Sequence, residues 1–368
     1  MILNSGRLES FVHGGDVYSA GSPLGYWLDF SANINPLGLS ERVKQAIVDN
    51  IEGLVHYPDP RGRELKQAIS ASYNLSERSV VLGNGAAELF YVYFHARRPG
   101  RVLLPVPSFS EYEKAARSAG AEIKYFYLQE QADFRLDFNR LQEAMNGCGT
   151  VVLGNPNNPT GELLSREAVE AFVRAAGAVG IDVMVDESFL DFRWDRHLYS
   201  VADLAVKYDN LLVVSSLTKA FAIPGLRLGY GTAAEELVKK LDFSKDTWNV
   251  NSLAQAAGVA ALADVGYKNR TLDFINENVP AMYSELQKIK GLKVYKPSVN
   301  FVLLNLSGCG VDSWQLAEKM KGRGVLIRDC SNYPGLDGRF VRLAVRGRHE
   351  NELMLNVLRE CLGDEKHG

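Results

Sequence analysis

The middle of the chain alternates short runs of apolar and β-branched residues with segments in which apolar residues recur at helical spacing. The short runs predict strands at residues 101–105, 122–128, 150–154, 182–186 and 211–215. The helical spacing predicts helices at 110–119 and 165–179, the second with Ser165 as its N-cap. Because such alternation requires right-handed crossovers, we predict an α/β fold with a mainly parallel sheet sandwiched by helices.

The pattern changes near residue 272, where a long helical segment begins. It is followed by short runs that predict strands at 292–295, 300–306, 325–328 and 340–345, and helices at 311–323 and 349–362. This mixture is typical of a smaller α+β domain. The segment up to residue 40 is rich in Gly, Asn and Pro and has no core of its own. We therefore predict an N-terminal arm (1–40) packing on the small domain (272–368), with a large domain (41–271) between them.

Composition narrows the class of ligand. The 368 residues carry a formal net charge of -3 with no broad basic field, which disfavours nucleic acid or a membrane as partner and favours a small molecule. The four cysteines are far apart and the six histidines lack metal-ligand spacing, so no metal is expected. The N-terminal segment lacks a signal-peptide pattern and no window matches a membrane span, so we expect a cytoplasmic protein.

A lysine follows the predicted strand at 211–215, in the run Ser-Ser-Leu-Thr-Lys that ends at Lys219. Ligands of open α/β sheets bind beyond the carboxyl ends of the strands, so the residues just after each strand are candidates for chemistry. An amine that attacks an aldehyde needs such a partly desolvated place. Nearby hydroxyl groups and Arg227, eight residues later, supply donors suited to a phosphate monoester. A surface lysine in a loop is the alternative.

Three further segments follow strands or precede helices. Asp186 ends a strand and suits pairing with a protonated pyridine nitrogen, although a satisfied core acid is the alternative. The loop 155–161, Asn-Pro-Asn-Asn-Pro-Thr-Gly, follows the strand at 150–154. Residues 83–88, Gly-Asn-Gly-Ala-Ala-Glu, open a helix and let backbone amides approach a phosphate. They depart from the dinucleotide fingerprint because Glu88 takes the place of its last glycine.

Together these segments resemble the fold-type I pyridoxal 5′-phosphate (PLP) enzymes, in the class II aminotransferase branch, and their order matches along the whole chain. The resemblance implies that Lys219 holds the cofactor covalently, that Asp186 pairs with its ring nitrogen and that Asn158 donates to its ring hydroxyl. It also implies that Phe109 stacks on the ring and that Tyr57 reaches the cofactor phosphate of a second subunit, which predicts a homodimer. The phosphate would be held by Ser216, Thr218, Arg227 and the amides of Gly85, Ala86 and Ala87.

One position departs from the aminotransferase pattern. These relatives usually carry a tyrosine three residues after the ring-pairing aspartate, where this chain has Phe189. The loss of that hydroxyl removes one hydrogen bond to the ring oxygen and should alter the electronics of the cofactor. The resemblance therefore leaves room for a reaction other than transamination.

The two ends of the chain bear on the substrate. The segments 13–15 (HGG), 29–38 (DFSANINPLG), 327–337 (IRDCSNYPGLD) and 339–346 (RFVRLAVR) resemble those of the threonine-phosphate decarboxylases of the cobalamin pathway. This resemblance implies decarboxylation of L-threonine O-3-phosphate, with O-phosphoserine as a further candidate substrate. A carboxylate and a phosphate on one small molecule call for several cations. Candidate substrate-binding residues are His13, Asn33, Arg328 and Arg342.

Other interpretations stay open at this point. Histidinol-phosphate aminotransferases share the core motifs, but their N-terminal segment typically reads Asn-Glu-Asn-Pro where residues 33–36 read Asn-Ile-Asn-Pro. A surface salt bridge is the alternative role for each arginine, and a solvated side chain the alternative for His13. A non-catalytic protein of this fold is disfavoured by the intact Lys219, Asp186 and Asn158.

Overall fold

The computed structural model describes residues 13–18 and 21–363. Its strands are β1 Leu28–Asp29, β2 Val80–Gly83, β3 Arg101–Val106, β4 Glu122–Tyr127, β5 Thr150–Gly154, β6 Asp182–Asp186, β7 Leu211–Ser216, β8 Gly229–Ala233, β9 Lys293–Val294, β10 Phe301–Asn305, β11 Val325–Leu326, β12 Arg328–Asp329 and β13 Phe340–Ala344. Its α-helices are α1 Glu41–Asp49, α2 Arg63–Tyr73, α3 Ala86–Arg97, α4 Ser110–Ser118, α5 Phe138–Ala144, α6 Arg166–Gly177, α7 Leu217–Ala220, α8 Glu235–Ser244, α9 Ser252–Leu262, α10 Val265–Gln287, α11 Ser313–Lys321 and α12 Arg348–Leu362.

A large sheet forms the centre of the chain, with its strands in the order β2-β8-β7-β6-β5-β3-β4. The pairs from β7 through β4 are parallel, and β8 is antiparallel to both of its neighbours. The interior strands β6 and β7 are buried along their whole length, as expected for apolar runs covered on both faces. The prediction of an α/β fold with a mainly parallel sheet is confirmed.

Most predicted elements match the observed ones within two residues, but the strand predicted at 325–328 is observed as two short strands, β11 and β12, which belong to different sheets. Ser165 caps α6 as predicted, because its side chain accepts a hydrogen bond from the backbone N–H of Ala168 at 3.3 Å. The apolar pattern does not predict β8, whose sequence Gly-Tyr-Gly-Thr-Ala is poor in strand-forming residues. Close approach explains its first glycine, since a Cβ atom on Gly229 would lie 2.4 Å from the backbone nitrogen of Ala86.

A second, antiparallel sheet in the order β12-β13-β10-β9 is built from the C-terminal part of the chain. The short strand β1 pairs in parallel with β11, so that Leu28 lies opposite Val325. The segment around β1 therefore lies beside β11 and β13, in the C-terminal part of the chain. The predicted domain limits stay a prediction, and residue 271 falls inside α10. Within the described ranges, no helix has both the length and the apolar character needed to cross a membrane.

Candidate active site

Lys219 lies in α7, a single helical turn that begins directly after β7. The side chain of Ser216 caps this turn by accepting from the backbone N–H of Thr218 at 3.3 Å. The Lys219 Nζ lies 3.5 Å from Ser216 Oγ and 5.1 Å from the centre of the Phe189 ring. Burial lowers the pKa of Lys219 to about 8. The negative charge of Asp186 opposes this shift, and the positive charges of Arg227 and Arg342 add to it. At pH 7 about one tenth of the amine is therefore neutral and able to act as a nucleophile, far more than for an ordinary lysine.

A cavity of about 140 Å³ opens around Lys219. Its walls come from the carboxyl ends of β3, β5, β6 and β7 and from the start of α3, which is where ligands of such sheets bind. Nine of the residues that the sequence singled out line it, namely Ala86, Ala87, Phe109, Asn158, Asp186, Ser216, Thr218, Lys219 and Arg227. Phe189 lines the cavity as well, so the position at which aminotransferases usually carry a tyrosine faces the site in this chain without a hydroxyl.

Asp186 is the last residue of β6 and is buried. Its Oδ2 accepts a hydrogen bond from the Tyr112 hydroxyl at 2.6 Å, and its Oδ1 accepts from the backbone N–H of Ser188 at 2.9 Å. Each carboxylate oxygen has more than one acceptor position, so both can still accept a further donor from the cavity. The geometry suits an acceptor for a protonated ring nitrogen.

The start of α3 and the guanidinium of Arg227 form an anion cradle. Gly85 precedes the helix with a φ of 81°, and a Cβ atom there would lie 2.4 Å from the Arg227 Nη2. Only glycine lets Arg227 lie this close to the helix start. On the neighbouring strand end, the hydroxyl oxygens of Ser216 and Thr218 are 2.7 Å apart. The backbone N–H of Gly85 donates to the Gly83 carbonyl oxygen at 2.8 Å, so of the three predicted backbone donors those of Ala86 and Ala87 are assigned to the cradle. Amides at a helix N-terminus, an arginine and two hydroxyls are the donors that a phosphate needs.

A hydrogen bond joins Asn158 and Arg342, which are 184 positions apart in the sequence. Arg342 Nη1 donates to the Asn158 Oδ1, and its Nη2 donates to the carbonyl oxygen of Ser31 at 2.6 Å. Because the oxygen of the Asn158 amide is engaged, its amino group is the end left to donate into the cavity. The Nε of Arg342 is buried and without a hydrogen-bond partner. A buried polar atom of this kind is the usual sign of a ligand or water position.

Arg328 lies directly opposite Arg342 in the pairing of β12 with β13, so both side chains project from the same face. Arg328 Nη2 donates to Asn332 Oδ1 at 2.8 Å, and its guanidinium lies 5.0 Å from the centre of the Tyr333 ring. Neither arginine is among the cavity-lining residues, but Arg342 bonds to Asn158, which does line the cavity. The two arginines predicted from sequence are therefore neighbours, with Arg342 the nearer to the cavity.

Residues 13–18 and 21–40, the described part of the N-terminal arm, include several that lie close to the site. His13 Nε2 is 2.8 Å from Glu111 Oε1, and its ring is 5.6 Å from the ring of Phe109. Asn33 is buried and its Oδ1 has no hydrogen-bond partner. Neither His13 nor Asn33 lines the cavity. The His13 ring contacts Phe109, which lines it. Ser31, two residues before Asn33, bonds to Arg342, which in turn bonds to the lining residue Asn158.

Tyr57 lies apart from these residues within one chain. It is 77% exposed and stacks on Trp248 with ring centres 4.4 Å apart. It lines a broad surface groove rather than the cavity. Its predicted contact with a cofactor requires a second subunit.

Two residues at this site have no counterpart among the sequence predictions. Tyr112 is 3% exposed, lines the cavity and bonds to Asp186, while Glu111 bonds to His13 and to the Tyr91 hydroxyl. Burial acts to raise the pKa of Glu111, but the hydrogen bond from His13 and the charge of Lys114 lower it overall. The available signal was the place of both residues in the first turn of the predicted helix 110–119, which begins directly after Phe109 at the carboxyl edge of the sheet.

The chain belongs to the aminotransferase class I and II family, whose sequence pattern matches residues 26–360. Pyridoxal 5′-phosphate is the cofactor of this family. The donor set fits it, since a lysine with a lowered pKa, an acceptor for a ring nitrogen, an aromatic wall and a cradle for a phosphate surround one cavity.

Two relatives and one solved structure place the chain more closely. It is 38% identical over 353 residues to a protein of Caldanaerobacter subterraneus subsp. tengcongensis that is provisionally named a threonine-phosphate decarboxylase, with 96% of this chain and 94% of that protein covered. It is 34% identical over 360 residues to the threonine-phosphate decarboxylase of Salmonella typhimurium, with 96% and 98% covered. The crystal structure of the histidinol-phosphate aminotransferase from Clostridium acetobutylicum has a TM-score of 0.85 at 31% identity, with 91% and 99% covered.

Proposed function

We propose that the chain is a PLP-dependent threonine-phosphate decarboxylase that converts L-threonine O-3-phosphate to (R)-1-amino-2-propanol O-2-phosphate for the nucleotide loop of cobalamin. Support comes from the names of its two near full-length relatives and from the four terminal segments that resemble that family. Lys219, Asp186, Asn158, Phe109 and the phosphate cradle are assigned to the cofactor, and His13, Asn33, Arg328 and Arg342 to the substrate.

The observation that carries this proposal is the pair of opposed arginines. Arg328 and Arg342 occupy directly paired positions and project from one face of the second sheet. A small substrate with a carboxylate at one end and a phosphate at the other needs two cations in such an arrangement. Arg342 bonds to Asn158 and is close enough to Lys219 to influence its pKa, so we assign the carboxylate to it. Arg328 then takes the phosphate.

The bound cofactor supplies an electron sink for the bond that breaks at Cα. The protein decides which bond that is by orientation, because only the bond held perpendicular to the ring plane is weakened. Arg342 and Arg328 hold the two anionic groups and so set the direction of the carboxylate. When the carboxylate leaves as CO₂, Cα gains a proton, and Lys219 Nζ is the donor that we assign to this step.

Phe189 supports a reaction other than transamination. Its ring lines the cavity and packs edge-on against Phe301 at 5.1 Å, so no hydroxyl at this position reaches the ring oxygen of a cofactor. The second candidate is a histidinol-phosphate aminotransferase, which the similarity to the Clostridium acetobutylicum structure favours. Both candidates use the same lysine, aspartate and asparagine, so the products must separate them.

Incubation of the PLP-loaded protein with O-phosphothreonine tests the two candidates. We expect release of CO₂ and formation of aminopropanol phosphate without added 2-oxoglutarate. Glutamate that forms only with 2-oxoglutarate, with no CO₂, would overturn the decarboxylase. Replacement of Lys219 by Ala should lower turnover by about 10² to 10⁴-fold, the usual range for a positioned proton donor. Borohydride reduction followed by peptide mass analysis should find the cofactor on Lys219 and not on Lys114, which lies outside the cavity.

O-phosphoserine tests the role of the substrate methyl group. One methyl in an apolar pocket is worth about 1 to 3 kcal/mol, so O-phosphoserine should react at roughly one tenth to one two-hundredth the kcat/KM of O-phosphothreonine. Its decarboxylation gives ethanolamine phosphate, which is detected by the same assay. A kcat/KM for O-phosphoserine equal to that for O-phosphothreonine would show that the methyl is not recognised.

We further propose a homodimer in which Tyr57 of each subunit reaches the cofactor phosphate of the other. Its exposed ring and the groove beside it support a contact with a second copy. Co-expression of Lys219→Ala and Tyr57→Ala subunits provides the test. If Tyr57 acts across the interface, one site of the hybrid carries both changes and the other carries neither, so activity returns. If Tyr57 acts within its own subunit, each site carries one change and the hybrid stays inactive.

A further inference from the structure

Tyr112 makes two contacts with groups that the proposed function assigns to the cofactor. Its hydroxyl donates to Asp186 Oδ2 at 2.6 Å. Its ring packs edge-on against Phe109, with ring centres 5.6 Å apart and an interplanar angle of 86°. A single side chain thus connects the acceptor for the ring nitrogen with the aromatic wall of the cavity.

The side chain of Tyr112 is itself held firmly. It is 3% exposed, and its other face packs edge-on against Phe90 at 5.0 Å. A Cβ atom on Gly154, the residue paired with Asp186 in the sheet, would lie 3.4 Å from the Tyr112 hydroxyl oxygen. The hydroxyl therefore occupies a closely fitted place at the end of two buried strands.

Tyr112 stays a hydrogen-bond donor over the working range of pH. Burial, and then the negative charge of Asp186, raise the pKa of Tyr112 well above its ordinary value. The other Asp186 oxygen, Oδ1, is fixed by the backbone N–H of Ser188. With one donor on each oxygen, the carboxylate has a single orientation toward the cavity.

We propose that Tyr112 is a positioning residue. Its hydroxyl orients the Asp186 carboxylate toward the cofactor ring nitrogen, and its aromatic ring fixes the position of the Phe109 ring. The inference rests on the proposed cofactor role of Asp186. Without the hydroxyl, Asp186 keeps only one of its two donors and its carboxylate can rotate. The cofactor then loses both a well-aimed charge-assisted hydrogen bond and the electron withdrawal that it supports.

The test compares Tyr112→Phe with Tyr125→Phe. Tyr125 also donates to a carboxylate, that of Glu113 at 2.7 Å, and Glu113 lies on the same helix α4 but away from the cavity. We expect Tyr112→Phe to weaken PLP binding by the apoprotein by about tenfold or more, as for loss of a hydrogen bond to a charged group. The pH titration of cofactor absorbance should shift, and kcat should fall more than KM changes. Tyr125→Phe should leave PLP affinity and absorbance unchanged.

A double-variant cycle separates positioning from a purely structural role. If Tyr112 acts through Asp186, Tyr112→Phe should change PLP affinity little in an Asp186→Asn background. Equal effects in both backgrounds would overturn the proposal, as would wild-type affinity in Tyr112→Phe. Tyr112→His, which keeps a ring donor, should recover part of the affinity lost in Tyr112→Phe. If Asp186→Asn alone binds PLP like the wild type, it is the cofactor role of Asp186 that fails.

Discussion

The backbone N–H of Asn35 donates a hydrogen bond to the carbonyl oxygen of Lys219 at 3.0 Å. The side-chain amide of Asn35 donates to the carbonyl oxygen of Ala220 and to the Thr271 hydroxyl, each at 2.7 Å. The turn that carries the lysine is therefore fastened to the N-terminal arm and to α10. A residue outside the cavity thus holds the backbone of the turn from which the amine projects.

Replacement of Asn35 by Ala should destabilise the protein and loosen this turn. Asn35 is buried, so the change leaves the Ala220 carbonyl and the Thr271 hydroxyl without that donor, at a cost of about 1 to 3 kcal/mol in the free energy of unfolding. Denaturant unfolding of the apoprotein measures the cost. Asn50→Ala is the control, because Asn50 donates to the Ala46 carbonyl at an exposed position. Equal losses for both variants would contradict the role given to Asn35.

The lowered pKa of Lys219 predicts how the apoprotein captures PLP as pH changes. Only the neutral amine attacks an aldehyde, and with a pKa of about 8 roughly half of it is neutral at pH 8. For an ordinary lysine the neutral fraction at pH 8 is about 0.3%. The rate of PLP capture should therefore rise with pH and level off above about 8. A rate that keeps rising past pH 9.5 would show that the lysine is not perturbed.

The two arginines should respond differently when each is changed to Met, which keeps an apolar stem without the charge. Loss of a hydrogen bond to a charged group costs about 1.5 to 3 kcal/mol, or roughly tenfold to a hundredfold in kcat/KM for O-phosphothreonine. Arg328→Met should lower kcat/KM for O-phosphothreonine but not for threonine, because only the first carries a phosphate. Arg342→Met should lower both.

The exposed Arg339 provides the control for these variants. It pairs with Asp337 at 2.9 Å on the surface, so Arg339→Met should leave kcat/KM for both substrates unchanged. The reverse pattern, with Arg342→Met affecting only O-phosphothreonine, would exchange the roles assigned to the two arginines.

Replacement of Gly85 by Ala should damage the phosphate cradle. The new Cβ atom would meet Arg227 Nη2 at 2.4 Å, and the φ of 81° disfavours any side chain. We expect Arg227 to move away and the apoprotein to bind PLP at least about tenfold more weakly, in line with loss of a charge-assisted bond. Gly100→Ala is the matched control, because nothing lies within 4 Å of a Cβ atom there. PLP affinity that falls equally in both variants would argue against the cradle.

Sequence order explains why some of this site was predictable and some was not. Lys219, Asp186 and Asn158 each follow a strand with a clear apolar run, so their place at the carboxyl edge of the sheet follows from local pattern. The bond between Tyr112 and Asp186 joins residues 74 positions apart and depends on how α4 packs. The strand β8 was missed because its glycines serve close packing against α3 instead of strand propensity.

The bond between Arg342 and the Ser31 carbonyl joins residues 311 positions apart. During synthesis the ribosome has made almost the whole polypeptide before β13 exists to receive the arm. The partner strand of β1, β11, is also made late, so we expect the segment around β1 to stay exposed while the central sheet folds. A chain cut short before β11 should therefore be more prone to aggregation than the full-length chain.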